Sequence, residues 1–555
     1  MKIAFLVGSD TPSTRLSIEA ICNLPDAKSV AILLDTDKST IFRRIKNIKR
    51  NIRRQGFGYV FYRVMDAACE VLERLASKII SQEEVTNLLR KAFPEKCFSL
   101  KDIEKKYNIP FYEVGNLNSS MAASILKNVG AEIGVVIGTR ILKKSTFAVP
   151  SKGCINIHKG KVPEFRGMPP GFWELYEGVN SASITIHFVE DGIDTGDIVG
   201  TKEIPIHKNE TVVSLRKKLD IEGAKLLSQC VYKIMSGTEN RTQQPKINIK
   251  SRTNPTRKEC LELKRRTPKA ISIKNTPYRA IKTLIYLAFY YTKTNRFIRY
   301  IKKKNGSCST CILLYHRVND YSSDVLTTTI EDFASHLTLI DKYFHPLSTS
   351  ELYYLINNKK PIPAGTVVIH FDDCYRDVYT NAAPLLYSTN ISATAFISSG
   401  YIDSNRQFEH DTEEYPFVFE NLRSNEVYDL QYKGFEIAAH TVNHCNLGKI
   451  EIEQVQTEVN ESKIELEKIV GKPIEFFSYP FGKKTDISKN ACQIVQHAGF
   501  KALFSAYGGV VTNCCDLFDI QRKGANSEYL PLDLLMEIDG ISIGDISKKL
   551  KKIFG

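Results

Sequence analysis

The stretch Lys2-Ile-Ala-Phe-Leu-Val-Gly8 is an apolar run of the kind that forms a strand buried on both faces of a sheet. Similar runs, rich in β-branched residues, recur between residues 1 and 240 and alternate with helical stretches. The predicted strands are Lys2–Gly8, Ser29–Asp35, Ile109–Val114, Ile133–Gly138 and Cys154–His158. This alternation predicts an open, Rossmann-like parallel α/β sheet.

Two features modify this simple pattern. Ser181–Glu190 and Asp197–Ile206 flank the turn-like segment Asp191–Gly196, which predicts a hairpin at the edge of the sheet. After the second strand, Thr40–Arg54 holds seven Lys and Arg residues and no acidic residue. That composition predicts a surface arm.

A second series of short strand-like runs, separated by helical stretches, begins at Cys311. The runs are Cys311–His316, Thr366–Phe371, Ser392–Ser398, Phe435–His440, Phe476–Pro480, Ala502–Ala506 and Phe518–Arg522. Such a series favours a distorted (β/α) barrel, whose functional residues lie at the carboxyl ends of the strands. The chain is therefore predicted to contain two α/β domains.

The net charge of +14 is concentrated in one connecting region. Residues 241–304 contain 19 basic and two acidic residues, and a helix is predicted to begin there with Thr276 as its N-cap and Pro277 after it. Its apolar stripe consists of Ile281, Leu284, Ile285, Ala288, Tyr291, Ile298 and Ile301. Two interpretations stay open: a helix that packs between the domains, or a basic amphipathic helix that lies on an anionic membrane.

The cysteines and the first residues bear on the compartment. The 13 cysteines are odd in number and follow no repeating spacing, which favours reduced thiols. The first apolar run is short and is soon followed by Asp10, unlike a secretion signal, and no stretch reaches the roughly 18 apolar residues of a spanning helix. We expect a cytoplasmic protein, and peripheral contact with the inner face of the membrane stays open.

The first group of chemically suggestive residues lies in the N-terminal half. Asn156 and His158 end a predicted strand and project to the same side, and Asp194 lies in the following turn-rich segment. An amide and an imidazole can donate to a carbonyl oxygen that becomes an oxyanion, while a carboxylate manages a proton of the attacking amine. Taken alone, an Asn-x-His pattern at the end of a strand is more often structural.

The surrounding motifs carry a resemblance. Residues 1–266 are similar to the folate-dependent formyltransferases, because four segments occur in that family's order: Gly138–Leu142, Asn156–His158, Pro163–Gly167 and Thr185–Ile198. The resemblance implies that Asn156, His158 and Asp194 form the catalytic triad. It also implies that Arg140, Ile141 and Leu142 border the pterin of 10-formyltetrahydrofolate.

The acceptor is suggested by a departure from that family. Members that act on tRNA carry Ser-Leu-Leu-Pro after the histidine, whereas Lys159–Pro163 stands here. The small C-terminal barrel that helps those members bind tRNA also has no counterpart in the sequence. We therefore favour an amino sugar as the acceptor.

The second group lies in the C-terminal half. Asp372 and Asp373 follow a predicted apolar strand, and His440 and His444 follow another. One carboxylate and two imidazoles form an incomplete shell for a divalent metal, with positions left for water and a substrate carbonyl. A neighbouring aspartate can then act as a base on the metal-bound water.

This half resembles the polysaccharide deacetylase (NodB-homology) family over about Cys311–Gln521. The motifs are Leu314–Val318, Phe371–Asp373, His440–His444 and Ser478–Gly482. The resemblance implies Asp372 as the general base, and Asp373, His440 and His444 as ligands of Zn²⁺ or another divalent metal.

Several departures from the deacetylase pattern leave roles open. The common T-F-D-D-G reads His370–Cys374, Ser478 replaces the usual arginine of R-x-P, and no clear L-x-x-x-H motif supplies a general acid. Arg522 is a candidate to orient Asp372, with a packing or surface role as the alternative. His316 is expected near the site in a role that the sequence does not define.

The sequence as a whole predicts a bifunctional enzyme. Residues 1–266 are assigned to a formyltransferase domain, 267–307 to a basic amphipathic helical linker and 308–555 to a polysaccharide deacetylase domain. The expected reactions are metal-dependent removal of an N-acetyl group from a nucleotide- or lipid-linked sugar, and formyl transfer from 10-formyltetrahydrofolate to a sugar amine. Two alternatives for the C-terminal domain are a deformylase and a non-catalytic sugar-binding barrel. Nucleic acid is not an expected partner, because aromatic RNA-binding motifs are absent.

Overall fold

The computed structural model describes residues 1–37, 41–56, 58–245, 249–268, 276–304, 310–412 and 418–542. Among them, unit 1 comprises residues 1–62 and 95–268, and unit 2 comprises residues 63–94, 276–412 and 418–542. Residues 63–94 thus belong by their contacts to unit 2. The domain boundaries given above stay a prediction.

The strands of unit 1 form a single sheet. They are β1 (Lys2–Val7), β2 (Lys28–Asp35), β3 (Phe111–Val114), β4 (Ile133–Ile137), β5 (Cys154–His158), β6 (Ser181–Phe188) and β7 (Ile198–Pro205). Their order is β3-β2-β1-β4-β5-β6-β7. The pairs from β3 to β5 are parallel, and β6 and β7 complete the edge as an antiparallel hairpin. The predicted open Rossmann-like sheet is confirmed.

Strand β1 divides the core of unit 1 into two layers. Ile3, Phe5 and Val7 face one apolar cluster, whereas Ala4 and Leu6 face another, because successive side chains of a strand point to opposite sides. This explains why the strand reads as a continuous apolar run.

The strands of unit 2 are parallel in every described pair of the main sheet. They are β8 (Cys311–Tyr315), β9 (Arg317–Val318), β10 (Thr327–Thr328), β11 (His345–Pro346), β12 (Thr366–Phe371), β13 (Ala393–Ile397), β14 (Phe435–Ala439), β15 (Phe476–Ser478), β16 (Ala502–Phe504) and β17 (Lys523–Gly524). The main order is β16-β15-β14-β13-β12-β8-β17, with β11 beside β12 and a separate β9–β10 pair. This curled half-barrel confirms the predicted fold class.

The helices cover these sheets and connect their strands. In chain order they are α1 (Pro12–Cys22), α2 (Ile41–Gln55), α3 (Gly58–Ser77), α4 (Gln82–Ala92), α5 (Leu100–Tyr107), α6 (Ser120–Asn128), α7 (Lys144–Phe147), α8 (Phe172–Glu177), α9 (Val212–Ser236), α10 (Arg257–Arg266), α11 (Thr276–Tyr291), α12 (Thr294–Lys304), α13 (Ile330–Tyr343), α14 (Thr349–Asn357), α15 (Ala383–Thr389), α16 (Glu409–Thr412), α17 (Ser424–Leu430), α18 (Ile452–Val470), α19 (Lys489–His497) and α20 (Pro531–Ile538). Within the described part of the chain, no helix is both long enough and apolar enough to cross a membrane.

Two local predictions differ from the structure in part, and a third gains detail from it. In the predicted strand Phe518–Arg522, Ile520 forms an isolated parallel bridge with Phe504, whereas the residues that pair with β8 are those of β17. The arm over Thr40–Arg54 contains a helix, α2. The single helix predicted from Thr276 is divided into α11 and α12, since Lys293 adopts a left-handed backbone with φ of 58°.

Candidate functional site

The polar centre of unit 1 lies at the carboxyl end of β5. The Asp194 carboxylate faces both residues of that strand: its Oδ2 is 3.3 Å from His158 Nδ1, and its Oδ1 accepts from Asn156 Nδ2 at 3.5 Å. The structure therefore brings together the three side chains that the sequence singled out. Asp194 itself has a left-handed backbone, with φ of 53°.

A fourth residue, His187, belongs to this centre and was not singled out from the sequence. It lies on β6 opposite Asn156, and its Nε2 is 3.2 Å from Asn156 Nδ2 and 3.4 Å from Asp194 Oδ1. Its Nδ1 donates to the carbonyl of Phe188 at 2.8 Å. His187 was present in the motif Thr185–Ile198, but only the antiparallel register shows which of its residues faces the site.

Hydrogen bonds define the proton positions of His158. Its Nε2 is 2.8 Å from the carbonyl oxygen of Phe165, so Nε2 carries a proton and Nδ1 faces Asp194. Burial lowers the pKa of His158 and outweighs the opposing effect of Asp194. The approach is close: a Cβ on Gly160 would lie 2.7 Å from His158 Nε2, which explains the glycine.

The ionised state of Asp194 is favoured by its surroundings. Burial raises the pKa of this carboxyl, but His187, His158 and the backbone amide of Gly167 outweigh burial and lower it. Arg166 also donates to the backbone carbonyl of Asp194 at 3.1 Å. The result is an ionised, buried carboxylate beside an imidazole and an amide.

Arg140, Ile141 and Leu142 follow β4, at the same edge of the sheet as the end of β5. The Arg140 guanidinium donates to Asp35 at 2.5 and 2.7 Å and to Asp37 at 2.9 Å, and the pKa of Arg140 is raised by these hydrogen bonds. Ile141 is 63% exposed, whereas Leu142 is buried. This segment presents an apolar side chain to solvent next to a fixed cation.

The centre of unit 2 contains a cluster of buried groups that could hold a metal ion. His444 Nε2 lies 3.1 Å and His440 Nε2 lies 3.5 Å from Asp373 Oδ1, and one ligand atom from each residue lies within 4.8 Å of the others. Asp373 follows β12 and His440 follows β14, so parallel strands bring their ends to one edge. Asp373 and His444 have left-handed backbones, with φ of 63° and 57°.

Two observations show that this donor set fits a divalent cation. The buried Asp373 Oδ1 has no hydrogen-bond partner among the described residues. His440 Nδ1 donates to the carbonyl of Ser478 at 2.9 Å, so in the neutral ring the Nε2 lone pair points towards Asp373. A metal-binding histidine is commonly fixed by such a bond from its other nitrogen.

Asp372 is held by a buried arginine. Its two oxygens accept from Arg522 Nη1 and Nη2, both at 2.6 Å, and Oδ1 also accepts from Ser478 Oγ at 3.1 Å. Arg522 is fully buried. Burial raises the pKa of Asp372, but Arg522 and His440 outweigh burial and lower it. Of the two roles considered for Arg522, the contacts favour orientation of Asp372, whereas Ser478 joins Asp372 to His440.

Two further histidines lie near Asp373. His410 Nε2 is 3.7 Å from Asp373 Oδ2 and 3.0 Å from Tyr375 Oη. His316 follows β8; burial lowers its pKa, and the charges of Asp373 and Asp372 oppose that effect. No signal in the sequence marked His410, since it lies in the short helix α16, far along the chain from the family motifs.

A buried ion-pair network supports this side of the site. Arg317 donates to Asp411 at 2.7 Å and to Asp324 at 2.9 Å, and Tyr375 Oη donates to Asp411 at 2.6 Å. Arg317 follows His316, and Asp411 follows His410. The network therefore fixes the backbone on which both histidines lie.

Two family models match separate parts of the chain. The formyl transferase family model matches residues 76–231, and the polysaccharide deacetylase family model matches residues 359–503. The chain carries a formyl transferase domain and a polysaccharide deacetylase domain. The two family resemblances stated from the sequence, and the expectation of a transferase joined to a hydrolase, are confirmed at the level of these domains.

The relatives found by sequence match the formyl transferase domain. A methionyl-tRNA formyltransferase of Caldicellulosiruptor saccharolyticus is 36% identical over 137 residues, 24% of this chain and 44% of the relative. Another, from Chlorobium limicola, is 25% identical over 193 residues, 33% of this chain and 60% of the relative. The chain spans about half the length of these relatives.

Solved structures resemble each domain. The Streptococcus pyogenes deacetylase PplD, in complex with acetate, is 22% identical with a TM-score of 0.37, over 41% of this chain and 98% of that one. An N-formyltransferase from Helicobacter canadensis, in complex with folinic acid and dTDP-3-aminofucose, is 15% identical with a TM-score of 0.28, over 45% of this chain and 70% of that one.

Proposed function

We propose that the protein exchanges an N-acetyl group for an N-formyl group on a nucleotide- or lipid-linked amino sugar. The deacetylase domain would hydrolyse the acetamide, and the formyl transferase domain would formylate the resulting amine. The observation that carries this proposal is the presence in one chain of two buried polar centres. One is an aspartate with two histidines that could hold a metal ion, and the other is an asparagine, a histidine and an aspartate at the end of β5. We assign both reactions to the cytoplasm, because the formyl donor is a folate.

Hydrolysis would depend on Zn²⁺ or a similar cation held by Asp373, His440 and His444. When bound, such an ion polarises the substrate carbonyl and lowers the pKa of a coordinated water. Asp372 would accept a proton from the attacking water, because its lowered pKa keeps it ionised and Arg522 fixes its orientation. This carboxylate also lies in the same edge loop as Asp373, so the base and the metal ligand are adjacent.

The departing amine needs a proton. His316 and His410 are both near Asp373, and either imidazole has the chemistry to donate one. Separate alanine variants distinguish them: loss of the donor should slow hydrolysis of acetamides more than hydrolysis of an activated ester, whose leaving group needs no proton.

Formyl transfer would use the centre of unit 1. 10-Formyltetrahydrofolate would supply the formyl group when bound, and Arg140, Ile141 and Leu142 would border its pterin. Asn156 would stabilise the oxyanion that forms on the formyl carbonyl, since its amide offers an N–H donor. His158 would do so through Nδ1 when its ring is protonated, because its Nε2 proton is donated to the carbonyl of Phe165. Asp194 would accept the proton that the attacking amine loses, because its pKa is lowered and it is therefore ionised.

Fusion of the two domains fits a sequential pathway. Hydrolysis of an N-acetyl group produces an amine, and formyl transfer consumes one. Tethering raises the effective concentration of the intermediate near the second site without any new contact.

Half-reactions test the proposal. The purified chain is supplied with N-acetyl, N-formyl and free-amine forms of nucleotide-linked sugars, and released acetate and formate are measured by chromatography. Acetate release with Zn²⁺ supports the proposal. Release of formate alone would instead identify a deformylase, and binding without release of either acid would identify a sugar-binding barrel.

A further inference from the structure

Helix α11 presents its apolar side to solvent. The sequence marks an apolar stripe that an ordinary packed helix would bury, yet Ile281, Leu284 and Tyr291 are 59%, 56% and 65% exposed. The side that packs within unit 2 includes Thr283 and Tyr286, and the Tyr286 hydroxyl donates to the carbonyl of Ile541. The apolar stripe is therefore not the packing surface of this helix.

Helix α12 extends the exposed apolar surface. Phe297, Tyr300 and Ile301 are exposed, whereas its other side packs through polar contacts with one buried carboxylate. That carboxylate, Asp539, accepts from Asn295 at 3.0 Å and from Arg299 at 2.6 and 2.7 Å. These contacts fix the orientation of α12 and leave its aromatic side uncovered by the described residues of unit 2.

The same two helices carry only positive charge. Residues 276–304 contain eight Lys and Arg residues and no Asp or Glu. Arg279, Lys282 and Arg299 form ion pairs with carboxylates of unit 2. The remaining exposed basic residues, which have no ion pair among the described residues, are Lys293, Arg296, Lys303 and Lys304. We call the exposed side chains of Tyr278–Lys304 the α11–α12 face.

A basic cavity of about 430 Å³ opens beside this face. Its lining includes Arg296, Tyr300 and Lys303 of α12. Lys342 and Tyr343 at the end of α13 also line it, but Lys342 is paired with Glu84 and the Tyr343 hydroxyl donates to the carbonyl of Ile79. None of the described lining residues is acidic. Cationic and phenolic donors thus converge at the edge of the apolar surface, which is the donor chemistry that a phosphate requires.

We propose that the α11–α12 face docks on a bilayer that contains anionic phospholipids, with a lipid phosphate in the basic cavity. A helix with an apolar side and a basic border lies in the membrane interface, where apolar burial and attraction to anionic lipids act together. Tyrosines suit this depth because their rings are apolar and their hydroxyls stay hydrated. This docking goes beyond the chemistry proposed above and does not depend on it.

Charge decides between a membrane and other partners. A second copy of the chain that used the same face would bring Arg296, Lys303 and Lys304 against like charges, since a twofold interface pairs a patch with itself. A nucleic acid would neutralise the lysines but leave Ile281 and Leu284 against a polar surface. An anionic bilayer matches both properties of the face.

Vesicle sedimentation with the full chain tests the proposal. The vesicles contain phosphatidylcholine alone or phosphatidylcholine with phosphatidylglycerol. Two double variants remove one property each: Ile281→Ser with Leu284→Ser, and Arg296→Ser with Lys303→Ser. Matched controls on exposed positions of unit 1 are Met121→Ser with Val213→Ser, and Lys101→Ser with Lys105→Ser.

The proposal predicts binding to the anionic vesicles, weaker binding to phosphatidylcholine, and loss of binding as salt is raised. The basic double variant should weaken binding on the order of tenfold or more, since each basic residue near the surface contributes about a factor of five. The apolar double variant should also weaken binding, because it removes two side chains that would be buried in the interface. The control pairs should bind like the original chain, with circular dichroism and thermal unfolding unchanged in all four. Equal binding by face and control variants would overturn the proposal, as would a face-dependent dimer or RNA complex without vesicle binding.

Discussion

The two polar centres use the same chemical groups in different states of completion. In unit 1, Asp194 accepts hydrogen bonds from Asn156 and the Gly167 amide, and nitrogens of His187 and His158 lie within 3.4 Å of its two oxygens. In unit 2, Asp373 Oδ1 is buried beside two imidazole nitrogens and has no hydrogen-bond donor among the described residues. A closed network suits proton transfer and oxyanion stabilisation, whereas an unsatisfied carboxylate beside two imidazole nitrogens suits a cation. The same residue types therefore indicate different chemistry once their hydrogen bonds are known.

The largest effect is expected from a substitution that removes a metal ligand from the unit 2 centre and leaves unit 1 unchanged. Asp373→Asn replaces the charged ligand, so bound metal and measurable acetamide hydrolysis should both be lost. Metal content by mass spectrometry and acetate release check this result. Formylation of a free sugar amine should be unchanged, and a variant that still binds one equivalent of metal would contradict the assigned ligand set.

The second prediction distinguishes the role of Asp372 as a base from that of Asp373 as a metal ligand. Asp372→Asn should reduce hydrolysis by about 10²–10⁴-fold, because proton transfer to a positioned base contributes about that much. Metal content should stay at the level of the original chain. Parallel loss of metal would mean that Asp372 is a ligand and that the two aspartates have been assigned in the wrong order.

The corresponding change in unit 1 should be smaller. His158→Ala should slow formyl transfer by about 10²–10³-fold, the usual loss for one oxyanion donor, while acetate release continues. His187→Ala should slow formyl transfer less, because His187 acts indirectly, through its contacts with Asp194 and Asn156. Steady-state formylation of the free amine measures both, and a larger loss in His187→Ala would exchange their roles.

A pH profile of hydrolysis tests the effect of Arg522 on Asp372. Arg522 lowers the pKa of Asp372. Arg522→Lys replaces a bidentate donor with a single ammonium group, so it should raise the pKa of Asp372. Asp372 acts only when ionised, and the acid limb of the hydrolysis profile should therefore move to higher pH. Arg376→Lys, at a partly exposed ion pair, is the control and should leave the limb in place.

The smallest expected effect concerns the fixed orientation of a metal ligand. Ser478→Ala removes the hydroxyl that contacts Asp372 and His440 but keeps the backbone carbonyl that accepts from His440. Removal of such an outer contact lowers metal affinity or activity by about 10–100-fold, and the lower end is expected here because one bond remains. Metal titration measures this change, and a loss as large as that of Asp373→Asn would make Ser478 itself part of the metal shell.

Local patterns predicted much of the architecture. Apolar runs located β5 and β12 to the residue, because a strand buried on both faces has a distinctive composition. Motif order also identified the seven catalytic and metal-binding candidates, whose roles stay predictions. These features depend on residues that are near one another in the chain.

Partners that come from distant segments were harder to predict. His187 joins Asn156 only through the register of β5 with β6, and Arg522 reaches Asp372 across 150 positions. The orientation of α11 was also open, since an apolar stripe has the same sequence pattern whether it is buried or exposed. Its exposed side and the partners of Arg522 depend on tertiary packing.

The proposed function requires one chain to exchange acetyl for formyl on the same sugar. The most direct measurement is mass spectrometry of a nucleotide-linked N-acetyl sugar incubated with the chain, Zn²⁺ and 10-formyltetrahydrofolate, beside the His158→Ala and Asp372→Asn variants. We predict that the original chain yields the N-formyl sugar, that His158→Ala accumulates the free amine, and that Asp372→Asn leaves the acetyl group in place. The exchange would be contradicted if the chain formylates a supplied amine but removes acetyl from no N-acetyl sugar, whichever carrier the sugar is attached to.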